Sequence, residues 1–323
     1  MKRREFVRNA AIAGGGMWAL GHLSSAWAAD VKSAGMAYET LGRTGVRVSK
    51  IGLGCAPLGR DTANEKESAR IVDRCIDAGI NYFDTAPNYT AGESERHVGN
   101  ALRGKRDKVF LVSKTEEASY EGTWRLLEAS LKHLKTDYLD LVHLHNFGHE
   151  GRFPNLDFLF SDEGAMGALR KAKEKGMIRF IGASGHLHPS RFHYAIDSEE
   201  IDALMVAVNY INQHTYDFEH KIWTRAGDKN LGLVSMKVFG GGRRKFKIPE
   251  EDYEIAMRYT LSLPKLSTAV IGLGSEAYLE KALETLRRVK PLDDDEFIEV
   301  AQRGLELVRS DAKWRAAHGQ PLT

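Results

Sequence analysis

Asp84, Tyr89, Lys114 and His145 are the residues of this chain whose types and spacing can carry proton chemistry together. Asp84 closes the apolar run Gly79-Ile80-Asn81-Tyr82-Phe83, and Tyr89 follows five residues later in a loop of Pro, Asn, Thr, Ala and Gly. Lys114 ends the run Val-Phe-Leu-Val-Ser-Lys, and His145 ends Tyr-Leu-Asp-Leu-Val-His-Leu-His. A phenol near pKa 10 is a poor acid at neutral pH; a nearby ammonium stabilises the phenolate and lowers that value. The ammonium, once partly buried, needs a carboxylate. An imidazole beside the phenol orients a carbonyl oxygen and shares its developing charge. Such a quartet protonates an alkoxide as hydride arrives at carbon, or runs in reverse. Singly, each residue has a plainer use: Lys114 as a solvated strand-end lysine, Asp84 as a cap, His145 as a satisfied core histidine. Four complementary groups at three consecutive strand ends favour chemistry.

The elements that must position them alternate. From Met36 the chain opens with two short alternating runs around Thr44-Gly45, which predict a β-hairpin. Apolar strand-like runs follow at Ile51–Gly54, Ile80–Asp84, Val109–Lys114, Tyr138–His145, Ile178–Ala183, Ala203–Asn209, Leu231–Lys237 and Thr268–Gly272. Helix-period segments lie between them, among them Glu65–Ala78, Trp124–Leu134, Ala165–Lys175, Pro249–Ser262 and Glu276–Val289. Eight strands alternating with helices have the order and size of an α/β fold of the (β/α)8 TIM-barrel type, with the chemistry at the C-terminal strand ends. A doubly wound open sheet is the rival, but no early G-x-G-x-x-G opens it. The barrel is expected over residues 36–310, closed by an amphipathic helix Asp295–Arg309, with residues 311–323 as a C-terminal tail.

The first residues read as something other than fold. MKRREFVRNA, then a modest Gly/Ala-rich apolar stretch and Ala26-Trp27-Ala28, has the layout of a secretory signal over residues 1–28. Its Arg-Arg-x-Phe-Val resembles the twin-arginine type, which carries folded proteins across the bacterial inner membrane. Export by that machinery and a periplasmic location are therefore expected. The glycines there make a poor lipid-spanning helix, so no stable membrane span is expected. Of the formal net charge of +2, Lys2, Arg3, Arg4 and Arg8 against Glu5 place +3 in the leader, leaving −1 elsewhere. That leaves no field to attract nucleic acid. Cys55 and Cys75 have neither C-x-x-C nor metal-ligand spacing and read as buried free thiols.

At the quartet the chain resembles the aldo-keto reductases. FDTAPNYTAGESERHVG (83–99) is similar to the family signature around its Asp and Tyr; VSKT carries the Lys and TDYLDLVHLH the His. The hairpin with Leu-Gly-Arg-Thr-Gly also matches, so the resemblance covers about residues 38 to 310. It implies a barrel that binds NADP(H) across its C-terminal face, with Tyr89 as general acid, Lys114 and Asp84 tuning it, and His145 orienting the carbonyl. After the last strand, Gly272, Gly274 and Ser275 precede a helix, where free N–H groups suit phosphate; the resemblance implies the adenosine phosphate. The family usually has Arg or Lys at Gly274, so NAD(H) is not excluded. Ser184 matches the segment that holds the nicotinamide amide, Asn209 is a second candidate for it, and Met236 stands where a tyrosine usually stacks on the ring. Lys237, Gly240 and Gly242 belong to a glycine-rich basic loop suited to a pyrophosphate.

The expectation is a small carbonyl or alcohol substrate exchanging hydride with NAD(P)(H). Phe147, Phe153, Phe158 and Phe160 either wall the site or pack their loop onto the barrel. Two other readings stay open. His143, His145, His149, His186 and His188 with Asp84 would suit a metal-dependent hydrolase, but that leaves Tyr89 and Lys114 without a use. A non-catalytic nucleotide-binding redox sensor would account for the altered cofactor contacts but not for the complete quartet.

Overall fold

A computed structural model describes residues 36–60, 63–240 and 248–317. The signal sequence expected over 1–28 and Gly242 of the basic loop lie outside the described residues.

The hairpin forms as expected. Strands β1 (Tyr38–Thr40) and β2 (Arg47–Ser49) pair antiparallel across a short 3-10 turn, Gly42–Thr44. Eight further strands follow: β3 (Ile51–Gly54), β4 (Tyr82–Asp84), β5 (Phe110–Thr115), β6 (Leu139–His145), β7 (Ile178–Gly185), β8 (Ala203–Ala207), β9 (Gly232–Met236) and β10 (Leu266–Gly272). They close in chain order into a barrel, all pairs parallel, with β10 returning to β3. This is a (β/α)8 barrel.

The helices packed around it are α1 (Glu65–Asp77), α2 (Glu93–Ala101), α3 (Tyr120–Leu134), α4 (Leu156–Phe160), α5 (Ala165–Glu174), α6 (Phe192–Asp197), α7 (Thr224–Asp228), α8 (Tyr253–Leu261), α9 (Glu276–Arg288) and α10 (Asp294–Ala317). Side-chain caps open several of them: Asn64 accepts from Glu67 N, Ser119 from Gly122 N, and Ser275 from Tyr278 N. The C-terminal helix does not stop near Arg309. It runs to Ala317, so the expected tail from 311 begins inside it. The physical reason is local: Asp-Ala-Lys-Trp-Arg-Ala-Ala contains no breaker before Gly319.

Two apolar cores result. One lies between the barrel and its helices. The other is inside the barrel, where Tyr82, Phe110, Val112, Leu141, Met205 and Val234 meet Leu41 and Val48 of the hairpin. The hairpin therefore plugs the N-terminal end, and the C-terminal end is left for polar groups. Cys55 and Cys75 are buried free thiols, as the sequence suggested.

Candidate active site

Barrel stagger brings the quartet to one rim. Asp84 ends β4 and pairs in register with Val112, two residues before Lys114 on β5; Lys114 pairs with His143, two residues before His145 on β6. Side chains two apart on a strand share a face, so Asp84, Lys114 and His145 all project into the mouth at successively higher levels.

Lys114 is the hub. Its buried Nζ donates to Asp84 Oδ1 (2.6 Å) and to the Thr85 carbonyl (2.6 Å), and lies 4.8 Å from the centre of the Tyr89 ring. Burial works against its charge, but the Asp84 carboxylate and the Tyr89 phenol outweigh it and raise its pKa above the ordinary lysine value. His145 meets Tyr89 edge-on, ring centres 6.0 Å apart. The structure thus brings together all four predicted residues.

The loop that presents Tyr89 is strained. Thr90 and Ala91 have φ of 49° and 55°, in the left-handed region that non-glycine residues rarely occupy. Thr90 is held there by its own hydroxyl, which donates to Leu58 O (3.1 Å) and accepts from Ser94 N (3.0 Å). The rest of the signature segment is structural. Ser94 Oγ donates to Cys55 O (2.7 Å) and bonds Thr85 Oγ1 (2.9 Å), while buried Glu95 accepts from Ser113 Oγ and faces His133 Nδ1. A Cβ on Gly99 would stand 2.5 Å from His133 O, so α2 can approach α3 only with glycine there.

One expectation is overturned. The phenol of Tyr89 is raised above its ordinary value, because removal from water opposes the phenolate more than the Lys114 ammonium favours it. Tyr89 therefore keeps its proton through neutral pH. His145 is shifted below its ordinary value, chiefly by burial and then by Lys114, with Glu116 and Asp84 pulling the other way. His143, one layer deeper, is lowered well below the ordinary histidine value by burial, Lys114 and His145, and neither ring nitrogen has a hydrogen-bond partner among the described residues.

Sequence reasoning missed Glu116. It stands two residues past Lys114, with its Oε1 2.9 Å from His145 Nδ1. Asn88 Nδ2 donates to the same oxygen (2.5 Å), and Arg152 pairs with the other. The two-residue step from Lys114 was the available signal, but the partners come from other loops.

The cofactor candidates divide. Gly272 is exposed and Gly274 half-buried at the N-terminus of α9, and a Cβ on Gly274 would stand 2.9 Å from Pro57 Cβ. An open glycine turn leading into a helix fits an anion. Ser275 Oγ is engaged by Tyr278 N, so its cap shapes that turn. Half-buried Lys237, at φ 61°, feels Asp84, Lys114 and Arg60, and burial lowers its pKa. Gly240 N donates to Lys237 O (2.8 Å), closing the turn above the mouth. Asn209 uses Oδ1 to accept from Ile211 N and Asn212 N and Nδ2 to donate to Lys237 O, so its side chain ties two loops together. Ser184 is buried beside His145 in register, its Oγ 3.5 Å from Leu144 O, and Met236 lies at the upper end of the inner core. Lys281 faces Glu250 and the Tyr253 ring. Phe147 and Phe153 are wholly buried, and Phe147 packs on Phe160 and Phe192, which makes this cluster core; Phe158 is exposed. No group of three or more His, Cys, Asp or Glu side chains among the described residues is arranged to hold a metal ion.

The chain is similar to known proteins in sequence and fold. The family model "Aldo/keto reductase family" matches residues 50–253. L-galactose dehydrogenase of Arabidopsis thaliana is 25% identical over 310 residues, covering 84% of this chain and 95% of the relative. Aldo-keto reductase dtxS3 of Metarhizium robertsii is 30% identical over 341 residues, covering 81% and 90%. The holo form of aldo-keto reductase AKR11C1 from Bacillus halodurans superposes with a TM-score of 0.68 at 23% identity, covering 84% of this chain and 96% of that one.

Proposed function

Since the chain belongs to the aldo/keto reductase family, and is on that ground an oxidoreductase, we propose that it reduces an aldehyde or ketone to an alcohol, or the reverse, with Tyr89 as the general acid. The observation that carries this is Lys114 clamped by Asp84 and Thr85 O beneath the Tyr89 ring, with His145 at the ring's edge.

A bound dihydronicotinamide would supply the hydride to the carbonyl carbon. Tyr89, held protonated by its surroundings, gives its proton to the oxygen as negative charge develops there. Lys114 stabilises the phenolate that remains, and Asp84 keeps Lys114 charged and in place. His145 sits beside the same oxygen and orients it. Gly272, Gly274 and the start of α9 would hold the adenosine phosphate, Lys237 and Gly240 the pyrophosphate, and Ser184 and Met236 would border the nicotinamide. NADP(H) is the proposed cofactor, with NAD(H) open because Gly274 offers no cation. We further propose export: the leader over 1–28 would take the folded, cofactor-loaded chain through the twin-arginine machinery to the periplasm.

Tyr89→Phe removes one oxygen and its proton. Reduction of test aldehydes should fall by about 10²–10⁴-fold while the affinity for nicotinamide nucleotide, read by fluorescence titration, holds. Equal rates for wild type and variant would sink the general-acid assignment. The hydrolase reading has only the histidine count in its favour: His143 is sealed in the barrel and His145 stands against Glu116.

A further inference from the structure

Three successive loops converge on one carboxylate at the rim. Glu116 lies just past β5, which ends at Thr115. Asn88, from the loop after β4, donates to Oε1, and Arg152, from the loop after β6, pairs with Oε2. His145 Nδ1 stands 2.9 Å from Oε1, an ion-pair contact without hydrogen-bond geometry. Glu116 is half-buried and exposes 18% of its side chain, whereas His145 exposes 6%. A carboxylate held from both sides cannot rotate away from the ring.

We infer that Glu116 is a positioning residue of the reaction: its carboxylate, 2.9 Å from Nδ1, holds that edge of the His145 ring by charge and leaves Nε2 as the nitrogen turned to the substrate oxygen. This rests on the reading of His145 as the group beside the reacting oxygen. A histidine whose protonated Nδ1 faces a carboxylate has two states at Nε2. Neutral, Nε2 accepts a hydrogen bond from an alcohol O–H; doubly protonated, it donates to a carbonyl oxygen. Glu116 therefore sets the balance between a ring suited to binding alcohol and one suited to binding carbonyl. Every charged or titratable group facing the ring enters that balance. Lys114 and burial oppose the second proton, Glu116 and Asp84 favour it, His143 lies below on the same strand, and Tyr89 meets the ring edge-on. Arg152 acts through Glu116 by sharing its charge.

The opposite signs of Glu116 and Arg152 make the test. The intact protein, labelled with ¹⁵N-histidine, is titrated by NMR, with the His145 signals assigned by their loss in His145→Gln. In Glu116→Gln the His145 midpoint should move down by about one pH unit, since a facing carboxylate is lost. In Arg152→Gln it should move up, since Glu116 is no longer shared, and Glu116→Asp should recover part of the wild-type midpoint. The limb of kcat/KM for aldehyde reduction that falls as pH rises through the His145 midpoint should follow in the same directions. An unmoved midpoint in Glu116→Gln, or movement in the same direction in both variants, overturns the assignment, as does a loss of rate uniform across pH. The readout needs no turnover. Failure of the Tyr89→Phe test would remove the general-acid reading and leave this titration standing, and a flat titration would do the converse.

Discussion

At the scale of single residues, the barrel interior is packed so that one atom decides fit. His143 is fully buried directly below the reactive layer, and Gly182 is the residue beside it on β7. A Cβ at 182 would stand 2.4 Å from His143 Nδ1 and 2.8 Å from Ala203 O. Gly182→Ala should thus lower stability by about 1–3 kcal/mol, the usual cost of overpacking. In a double-mutant cycle with His143→Ala the two losses should be less than additive, because the second change removes the clash. Strict additivity in denaturant melts would show that the histidine does not impose the glycine. The same scale holds what a list of residue types missed. Lys114, Asp84 and His145 were legible because each ends an apolar run. Glu116 was not, because its role lies in partners 28, 29 and 36 residues away, on loops that meet only when the barrel closes.

At the scale of elements, the strands and the longer helices follow from period alone, while the short pieces do not. The helix α2 begins inside the segment that carries Tyr89, after three left-handed residues, Thr90, Ala91 and Gly92, and no apolar stripe announces it before Val98. α4, α6 and α7 span five or six residues and rest on packing. The π-helical turn Glu219–Trp223 that leads into α7 hides a buried acid. Tyr259 OH donates to Glu219 Oε1 at 3.1 Å, and Oε2 has no partner among the described residues. Burial pushes the Glu219 carboxyl up to about 8, so the folded protein holds a proton that the unfolded chain releases near 4.5. A group raised on folding contributes most at low pH, and its contribution fades as pH rises through the folded value. Between about pH 5 and 8, Glu219 therefore makes stability fall with pH. Glu219→Gln should leave Tm nearly unchanged at pH 5 and raise it by roughly 2 °C or more at pH 9. A Tm difference that does not widen with pH would mean that the carboxyl is ionised in the folded state.

At the scale of the whole molecule, stability and chemistry sit at opposite ends of the barrel. The hairpin drives Leu41 and Val48 into the N-terminal end, and Arg43 of its turn donates to the Glu199 and Ile201 carbonyls. The C-terminal end carries the quartet and the glycine turns. No described helix is long and apolar enough to cross a membrane. If the leader directs export, changing Arg3 and Arg4 together to Lys should hold the full-length chain in the cytoplasm, while the unaltered chain yields a shorter periplasmic form. Cell fractionation with N-terminal sequencing reads this, and an unaltered chain that stays uncleaved in the cytoplasm would refute export.

The sequence by itself determined the barrel and the four groups at its mouth. Alternating periods of two and 3.6 specify strands and helices locally, and a polar residue that ends an apolar strand has nowhere to go but the rim. It did not determine how those groups behave. Tyr89 was expected to titrate low beside Lys114, yet burial holds it high; no partner was read for His145, yet Glu116, gripped by Arg152 and Asn88, stands against it. Both outcomes depend on how much water reaches an atom and on which distant loop faces it. Those quantities exist only once the chain has closed on itself.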